Sequence, residues 1–479
     1  MMDINNIAFP AAWSEDEKAR AKTEFLKKLA LLAHKFYGGK MQTLPKCSVS
    51  LDMLNVWYTP GASKISTTIR DDNDSSFSLS NRGNLVAVVS DSTRVLGDGD
   101  CTPTGGLGVM EGKALLMKYL GGIDAVALCI DSRENGSHNP QKIIDFVKMV
   151  SPSFGAINLE DISQPNCFRV LDELRDTCDI PVWHDDAQGT ACIILAGLLN
   201  ALKLAEKPLA DAKIVLLGAG AANTTVARFI LADGGDPSNM TLFDVNGALH
   251  IGRVDIERDM RYYQQWELCR KTNPKKVRYI EEALQNADVL IALSAPGPGI
   301  VKPEWVRSMA NKAVVFACAN PTPEIWPHTA KEAGAFIIAT GRGDFPNQVN
   351  NSLCFPGLLK GALLARSRKI TDNMAIRCSH SIADFSEKRG ISPNNIIVDM
   401  SETVLFSEEA GDVAAAAVAE GVARINISRE EARRRARADT ATVRSTLHHL
   451  EEAGDIPSLP EELVQKVLKE VGGVMVNEI

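Results

Sequence analysis

From Gly83 to residue 340 the chain alternates short, wholly apolar runs with helix-like segments, and this rhythm limits its fold more than any other feature. The runs LVAVVS (85–90), AVALCI (125–130) and AINLE (156–160) are separated by helical patterns at 110–122 and 139–150. A helix over 165–178 then leads to PVW (181–183). Strands that are apolar at every position are buried on both faces of a parallel sheet, and parallel neighbours need a crossover, usually a helix, between them. A helical stretch (189–205) and the polar linker Glu206-Lys207-Pro208 open a second series of strands: AKIVLLG (212–218), MTLFD (240–244), DVLIALS (288–294), KAVVFACAN (312–320) and AFIIAT (335–340). The expectation is therefore α/β, with two such units. After Phe355-Pro356-Gly357 the pattern is helical to the end, and Ser14-Glu15-Asp16-Glu17 opens an amphipathic helix over 14–37.

The second series begins with a dinucleotide signal. Strand 212–218 runs into Gly218-Ala219-Gly220-Ala221-Ala222-Asn223 and then an apolar helix. In a Rossmann unit the first glycine makes the tight turn, the second lets backbone approach a pyrophosphate, and the helix N-terminus supplies N–H donors. Asp244 ends the next strand, where a carboxylate reaches a ribose 2′-hydroxyl. Asn223 departs from the fingerprint, which has Gly or Ala there for close packing. Asp244 favours NAD by repelling a 2′-phosphate, while Arg253 is near enough to offset it, so NAD and NADP both remain open.

Three carboxylates follow the ends of short buried strands: Glu160 and Asp161 after GAINL, and Asp186 after PVWHD. Loops after the C-terminal ends of parallel strands are where α/β proteins place ligands, and hard oxygen donors suit Mg²⁺ or Mn²⁺. Capping and surface charge are the alternative for such a group. Lys113, on an apolar helix start, is a candidate base if burial lowers its pKa, or else a side chain that snorkels to solvent. Tyr58, before a Pro-Gly turn, has aromatic packing as its default role.

Composition narrows the function classes. With 52 Lys+Arg against 60 Asp+Glu the net charge is −8, most of it in the helical tail. The dense basic run Arg433, Arg434, Arg435 and Arg437 follows Glu430 and Glu431, as on a solvated helix face, so no nucleic-acid partner is expected. The uncharged stretch 190–202 is shorter than the roughly 18 residues of a membrane span, so no membrane partner is expected either. The start, Met-Met-Asp-Ile-Asn-Asn, shows no secretory signal. The ten scattered cysteines form no CxxC pair and read as reduced thiols, which places the chain in the cytoplasm.

In combination these blocks resemble the malic enzymes in their shorter, bacterial-type form, from about residue 50 to about 425. The likeness rests on YTPG (58–61), VAVVSDSTRVLGDGD (86–100), MEGKALLMK (110–118), NLEDI (158–162), NCFR (166–169), HDDAQGTA (184–191), LSAPG (293–297), ANPTPEI (319–325) and GRGDFPNQVNNSLCFPG (341–357). The resemblance implies oxidative decarboxylation of L-malate to pyruvate and CO₂, with NAD or NADP and with Mg²⁺ or Mn²⁺. It places Lys113 on the general base, Tyr58 on the general acid and Asp185 on the carboxylate that supports the lysine. Glu160, Asp161 and Asp186 fall on the metal ligands. Arg94, Asn320 and Asn351 fall at the substrate, and Ser294 and Asn320 join Gly218, Gly220, Ala221, Ala222, Asn223 and Asp244 at the cofactor. The implied architecture is an α/β catalytic domain (1–190) and a Rossmann-type NAD(P)-binding domain (191–357), with C-terminal helices (358–479) packing on the first. A homodimer is the expected assembly. A dehydrogenase of another 2-hydroxy diacid and a catalytically silent dinucleotide-binding regulator are the alternatives.

Overall fold

The computed structural model describes residues 7–95 and 98–475. Leu96 and Gly97, within the block 86–100, and the first six residues lie outside them. Contacts divide the chain into two units, one of Cys47–Thr440 and one of the two chain ends, up to Lys46 and from Ala441. The expected boundaries at 190 and 357 both fall inside the larger unit.

The larger unit holds the two large sheets. The first contains β1 (Leu85–Ser90), β2 (Asp124–Cys129), β3 (Ala156–Leu159) and β4 (Val182–His184), all parallel in the order β2-β1-β3-β4. The second contains β5 (Ile214–Leu217), β6 (Met240–Asp244), β7 (Gly247–Ala248), β8 (Val289–Ala292), β9 (Val314–Ala317) and β10 (Ile337–Thr340), in the order β7-β6-β5-β8-β9-β10. Only the short β7 runs antiparallel. The apolar runs thus became the parallel strands expected of them, and all four residues of β3, β8, β9 and β10 are buried.

Three helices position the site. Helix α1 (Leu107–Gly121) lies against β2 and ends on Gly122 in the left-handed conformation. Helix α2 (Thr190–Ala205) buries most of its residues, and α3 (Ala221–Ala232) follows the glycine turn and packs on α2. With the π-helical turn Asp185–Gly189 before it, α2 forms a helical run, Asp185–Ala205, of 21 residues. By length and composition alone that run is long enough to cross a membrane, unlike the stretch read from sequence. However, 78% of its most apolar window is buried within the fold, as in a core helix. Three later helices, α4 (Phe355–Leu364), α5 (Asp372–Arg389) and α6 (Leu405–Ala419), join the same core: α4 packs on α1, α5 on α2, and α6 on α4 and α5.

In the smaller unit, helix Glu15–Tyr37 starts at Ser14 with a full capping box, as its sequence predicts. It packs against Glu461–Val471 through Phe25, Leu29, Val464, Val467, Leu468 and Val471, and Ile7–Ala8 pairs with Val474–Met475. The arginine run of 433–437 lies in helix Arg429–Glu452, where Arg433 and Arg434 pair with the glutamates three residues before them.

Candidate active site

One large cavity, of about 1210 Å³, is walled by residues from both sheets. The first sheet contributes from the C-terminal ends of its strands. Glu160 and Asp161 follow β3, Asp186 follows β4, and Arg94 comes from the loop after β1. Glu160 and Asp161 are each 2% exposed, and Asp161 has a left-handed backbone (φ 53°). The Asp161 amide donates to Asp186 Oδ2 at 2.7 Å, and the Arg94 amide donates to the Asp161 carbonyl at 3.0 Å. One carboxylate oxygen from each of Glu160, Asp161 and Asp186 lies within 4.8 Å of the others.

Lys113 projects from α1 into this group. Its Nζ lies 2.5 Å from Asp185 Oδ2 and 3.0 Å from Glu160 Oε1, and 4.6 Å from the ring centroid of the buried Phe355. Burial alone would lower the lysine's pKa, but the charges of Asp185, Glu160 and Asp186 outweigh it and hold the ammonium above its ordinary value. The lowered pKa expected from sequence is therefore reversed here, because the sequence does not show three carboxylates from the ends of two strands meeting one lysine. Burial in turn pushes the Glu160 and Asp185 carboxyls up, against the pull of Lys113. A nest of buried oxygen donors with a single lysine to balance it fits a divalent cation, whose charge would relieve the crowding.

Asp185 does not reach the cavity wall. Fully buried, it carries Lys113 on one oxygen and accepts from Trp183 Nε1 at 3.0 Å on the other. A Cβ on Gly189 would lie 2.1 Å from Asp185 Oδ1, so the Asp185 carboxylate keeps its place only with glycine there. Trp183 and Asn158, whose Nδ2 donates to Glu160 Oε2 at 2.9 Å, are supports that sequence reasoning missed. Their only signal was position: each stands two residues before the carboxylate it serves.

The second sheet lines the other part of the cavity with Gly218, Gly220, Ala221, Ala222, Asp244, Ser294 and Asn320, and Asn351 joins them from the segment before α4. Gly218 has φ 97°, and a Cβ there would come 2.4 Å from the Leu293 carbonyl. On Gly220, at the N-terminus of α3, a Cβ would meet nothing within 4 Å, which leaves room for a phosphate at the helix start. The cavity and the glycine turn thus fit a dinucleotide. Both Asp244 oxygens are held by Arg253, which also pairs with Asp255 and is itself only 8% exposed.

Two expected residues lie elsewhere. Asn223 is fully buried and outside the cavity wall; its Nδ2 donates to the carbonyls of Leu217 (3.0 Å), Gly218 (2.9 Å) and Ile291 (3.3 Å). The departure from the fingerprint thus stitches the glycine turn to both β5 and β8. Asn223→Ala should lower the free energy of unfolding by about 1–3 kcal/mol, measured by denaturant titration, because it takes a shared donor from three carbonyls at the turn. Tyr58 is also outside the wall. It is 76% exposed, beside the exposed apolar side chains of Leu51, Leu54, Val56 and Trp57.

Comparison with known proteins agrees with this geometry. Residues 39–175 match the family model for the malic enzyme N-terminal domain, and 187–420 match that for the malic enzyme NAD-binding domain. The chain belongs to the malic enzyme family. It is similar to the NAD-dependent malic enzyme of Geobacillus stearothermophilus, with 42% identity over 81% of this chain and 78% of that one. It is also similar to the NADP-dependent malic enzyme of Halomonas elongata, with 39% identity over 73% and 80% of the two chains. The crystal structure of the Entamoeba histolytica malic enzyme superimposes with a TM-score of 0.95 at 56% identity, covering 97% of this chain and 96% of that one. As a member of this family the chain is an NAD(P)-dependent oxidoreductase. The α/β class, with a Rossmann-type dinucleotide-binding part, stands as read from the sequence.

Proposed function

We propose that this malic enzyme converts L-malate to pyruvate and CO₂ with reduction of NAD or NADP, in the presence of Mg²⁺ or Mn²⁺. The observation that carries this reading is the meeting of Lys113 with Asp185 and the triad Glu160, Asp161 and Asp186 in the same cavity that the glycine turn lines. A divalent ion on the triad would act as a Lewis acid on the C2 oxygen and C1 carboxylate of malate, and the nicotinamide would accept hydride from C2. The carboxylates around it hold Lys113 as an ammonium; with their charge offset by a divalent ion, Nζ would lose that proton and then take the proton of the C2 hydroxyl, with Asp185 keeping the ammonium that forms in place. Arg94, exposed and making no ion pair among the described residues, meets a carboxylate of the substrate, and Asn320 and Asn351 orient it. After the C3–C4 bond breaks and CO₂ leaves, C3 needs a proton, which Tyr58 gives.

Tyr58 belongs to the exposed apolar stretch of its own chain and not to its cavity wall. We therefore place it as the acid of a second copy's cavity, in a homodimer that covers Leu51, Leu54, Val56 and Trp57. Ten unpaired cysteines fit a reducing compartment, and we assign the enzyme to the cytoplasm.

The direct test is the appearance of reduced dinucleotide at 340 nm with malate and NAD or NADP, with and without Mn²⁺. Absence of turnover with both dinucleotides, or turnover with another 2-hydroxy diacid in place of malate, would overturn the assignment. Glu160→Gln and Asp186→Asn should each raise the Mn²⁺ concentration for half-maximal rate by about tenfold or more. Wild-type activity insensitive to a chelator would count against the triad as ligands.

A further inference from the structure

Glu324 lies outside the cavity wall and was not singled out in the sequence, yet it bridges the two loops that carry Ser294 and Asn320. It is fully buried. Its Oε1 accepts from the Ser294 amide at 2.8 Å and from Ser294 Oγ at 3.1 Å, and its Oε2 accepts from the Ala319 amide at 3.0 Å. Its carbonyl accepts from the amides of Gly299 (3.0 Å) and Val301 (3.1 Å), farther along the loop after β8. One side chain therefore fixes the end of β8 to the end of β9, and Ser294, Ala319 and Asn320 all face the cavity.

Charge sets this residue apart from an ordinary buttress. Every hydrogen-bond partner of the carboxylate is a donor, which is the environment of the ionised form, and no lysine, arginine or histidine pairs with it among the described residues. Burial pushes its carboxyl up, and the amides of Ser294 and Ala319 pull it back. Three donors on one carboxylate favour its ionised form, and so a negative charge behind the cavity wall with no cationic partner among the described residues. The oxidised nicotinamide ring is a cation and the reduced ring is neutral, so a fixed negative charge distinguishes the two forms of the cofactor.

We propose that Glu324 is a positioning residue for the nicotinamide whose buried charge also makes the cavity prefer the oxidised dinucleotide over the reduced one. This rests on the reading that Ser294 and Asn320 belong to the cofactor site, and it places the nicotinamide end of the cofactor against them. The consequence for turnover is that reduced product leaves more readily than it would from a neutral wall.

The test is equilibrium titration of the full-length enzyme, without malate, with the oxidised and reduced forms of whichever dinucleotide it uses. Glu324→Gln should raise Kd for the oxidised form by about tenfold, the size expected when a unit charge facing a cation across several ångströms of protein is removed, and move Kd for the reduced form by less than about threefold. Glu324→Asp keeps the charge and loosens the bridge, so both constants should rise together, with their ratio at the wild-type value. A parallel rise of both constants in Glu324→Gln, or a changed ratio in Glu324→Asp, would overturn the charge effect. A wild-type enzyme that binds neither form would remove the dinucleotide reading of the cavity itself, and this proposal with it.

Discussion

Lys113→Ala lowers malate turnover by about a thousandfold or more and leaves dinucleotide affinity within about twofold of wild type. The size of the loss follows from the position of the amine. Among the described residues Nζ is the one side-chain cation paired with Asp185 and Glu160, so its removal takes away the amine that those carboxylates hold in place for the proton of the C2 hydroxyl. The affinity is spared because the glycine turn, Asp244 and Ser294 come from the second sheet, away from the end of the cavity where Lys113 stands. Steady-state rates for malate, together with dinucleotide binding followed by fluorescence, separate the two effects. Turnover within about tenfold of wild type would sink the assignment of the base. A fall in kcat matched by an equal loss of dinucleotide binding would point instead to collapse of the cavity. Lys113→Arg should not rescue, because a guanidinium does not give up its proton near neutral pH.

Mixing two inactive variants restores activity. In the proposed roles Tyr58→Phe would remove the acid and Lys113→Ala the base, so each proposed homodimer would be inactive at both sites. If Tyr58 serves the neighbouring copy, a hybrid dimer has one site lacking both groups and one site with both intact. Equal mixing with full exchange then returns about a quarter of wild-type activity, because half the dimers are hybrids and each hybrid carries one working site. If Tyr58 served its own chain, every hybrid site would lack one group and mixing would restore nothing. The assay is turnover against time after the purified variants are combined, with native mass spectrometry to confirm the hybrid. The expectation depends on the exposure of Tyr58 and its absence from its own cavity wall, so a flat time course with hybrids present would assign Tyr58 to the site of its own chain.

What the sequence revealed divides according to how local the signal was. The strand runs, the capping box at Ser14 and the glycine turn before α3 were legible because each depends on periodicity or on a few neighbouring residues. Glu160, Asp161 and Asp186 were legible as a group because parallel strands bring their C-terminal ends to one edge, so a residue just past a buried run is placed without knowledge of the sheet order. The pKa of Lys113 was not legible, since its direction depends on how many charges the fold gathers from separate strands. Asn223 looked like a flaw in a motif, because its value lies in three carbonyls of which one, Ile291, is 68 residues away. Glu324 carried no local mark, since a glutamate in a Pro-rich loop is ordinarily a solvated one.

The turn Asp185–Gly189 carries the lysine's partner and one of the three triad carboxylates, and it continues without a break into α2, where Ile194 and Leu195 have essentially no exposure. Most enzymes mount such groups on loops, whose sequence drifts independently of the core. Here the side chains that exclude water and the side chains proposed to do chemistry share one backbone. A lost methylene at Ile194 or Leu195 would be felt as a misplaced carboxylate as well as a cavity. Natural selection on turnover and on packing therefore bears on the same twenty-one residues, and along this helix a variant cannot trade one for the other.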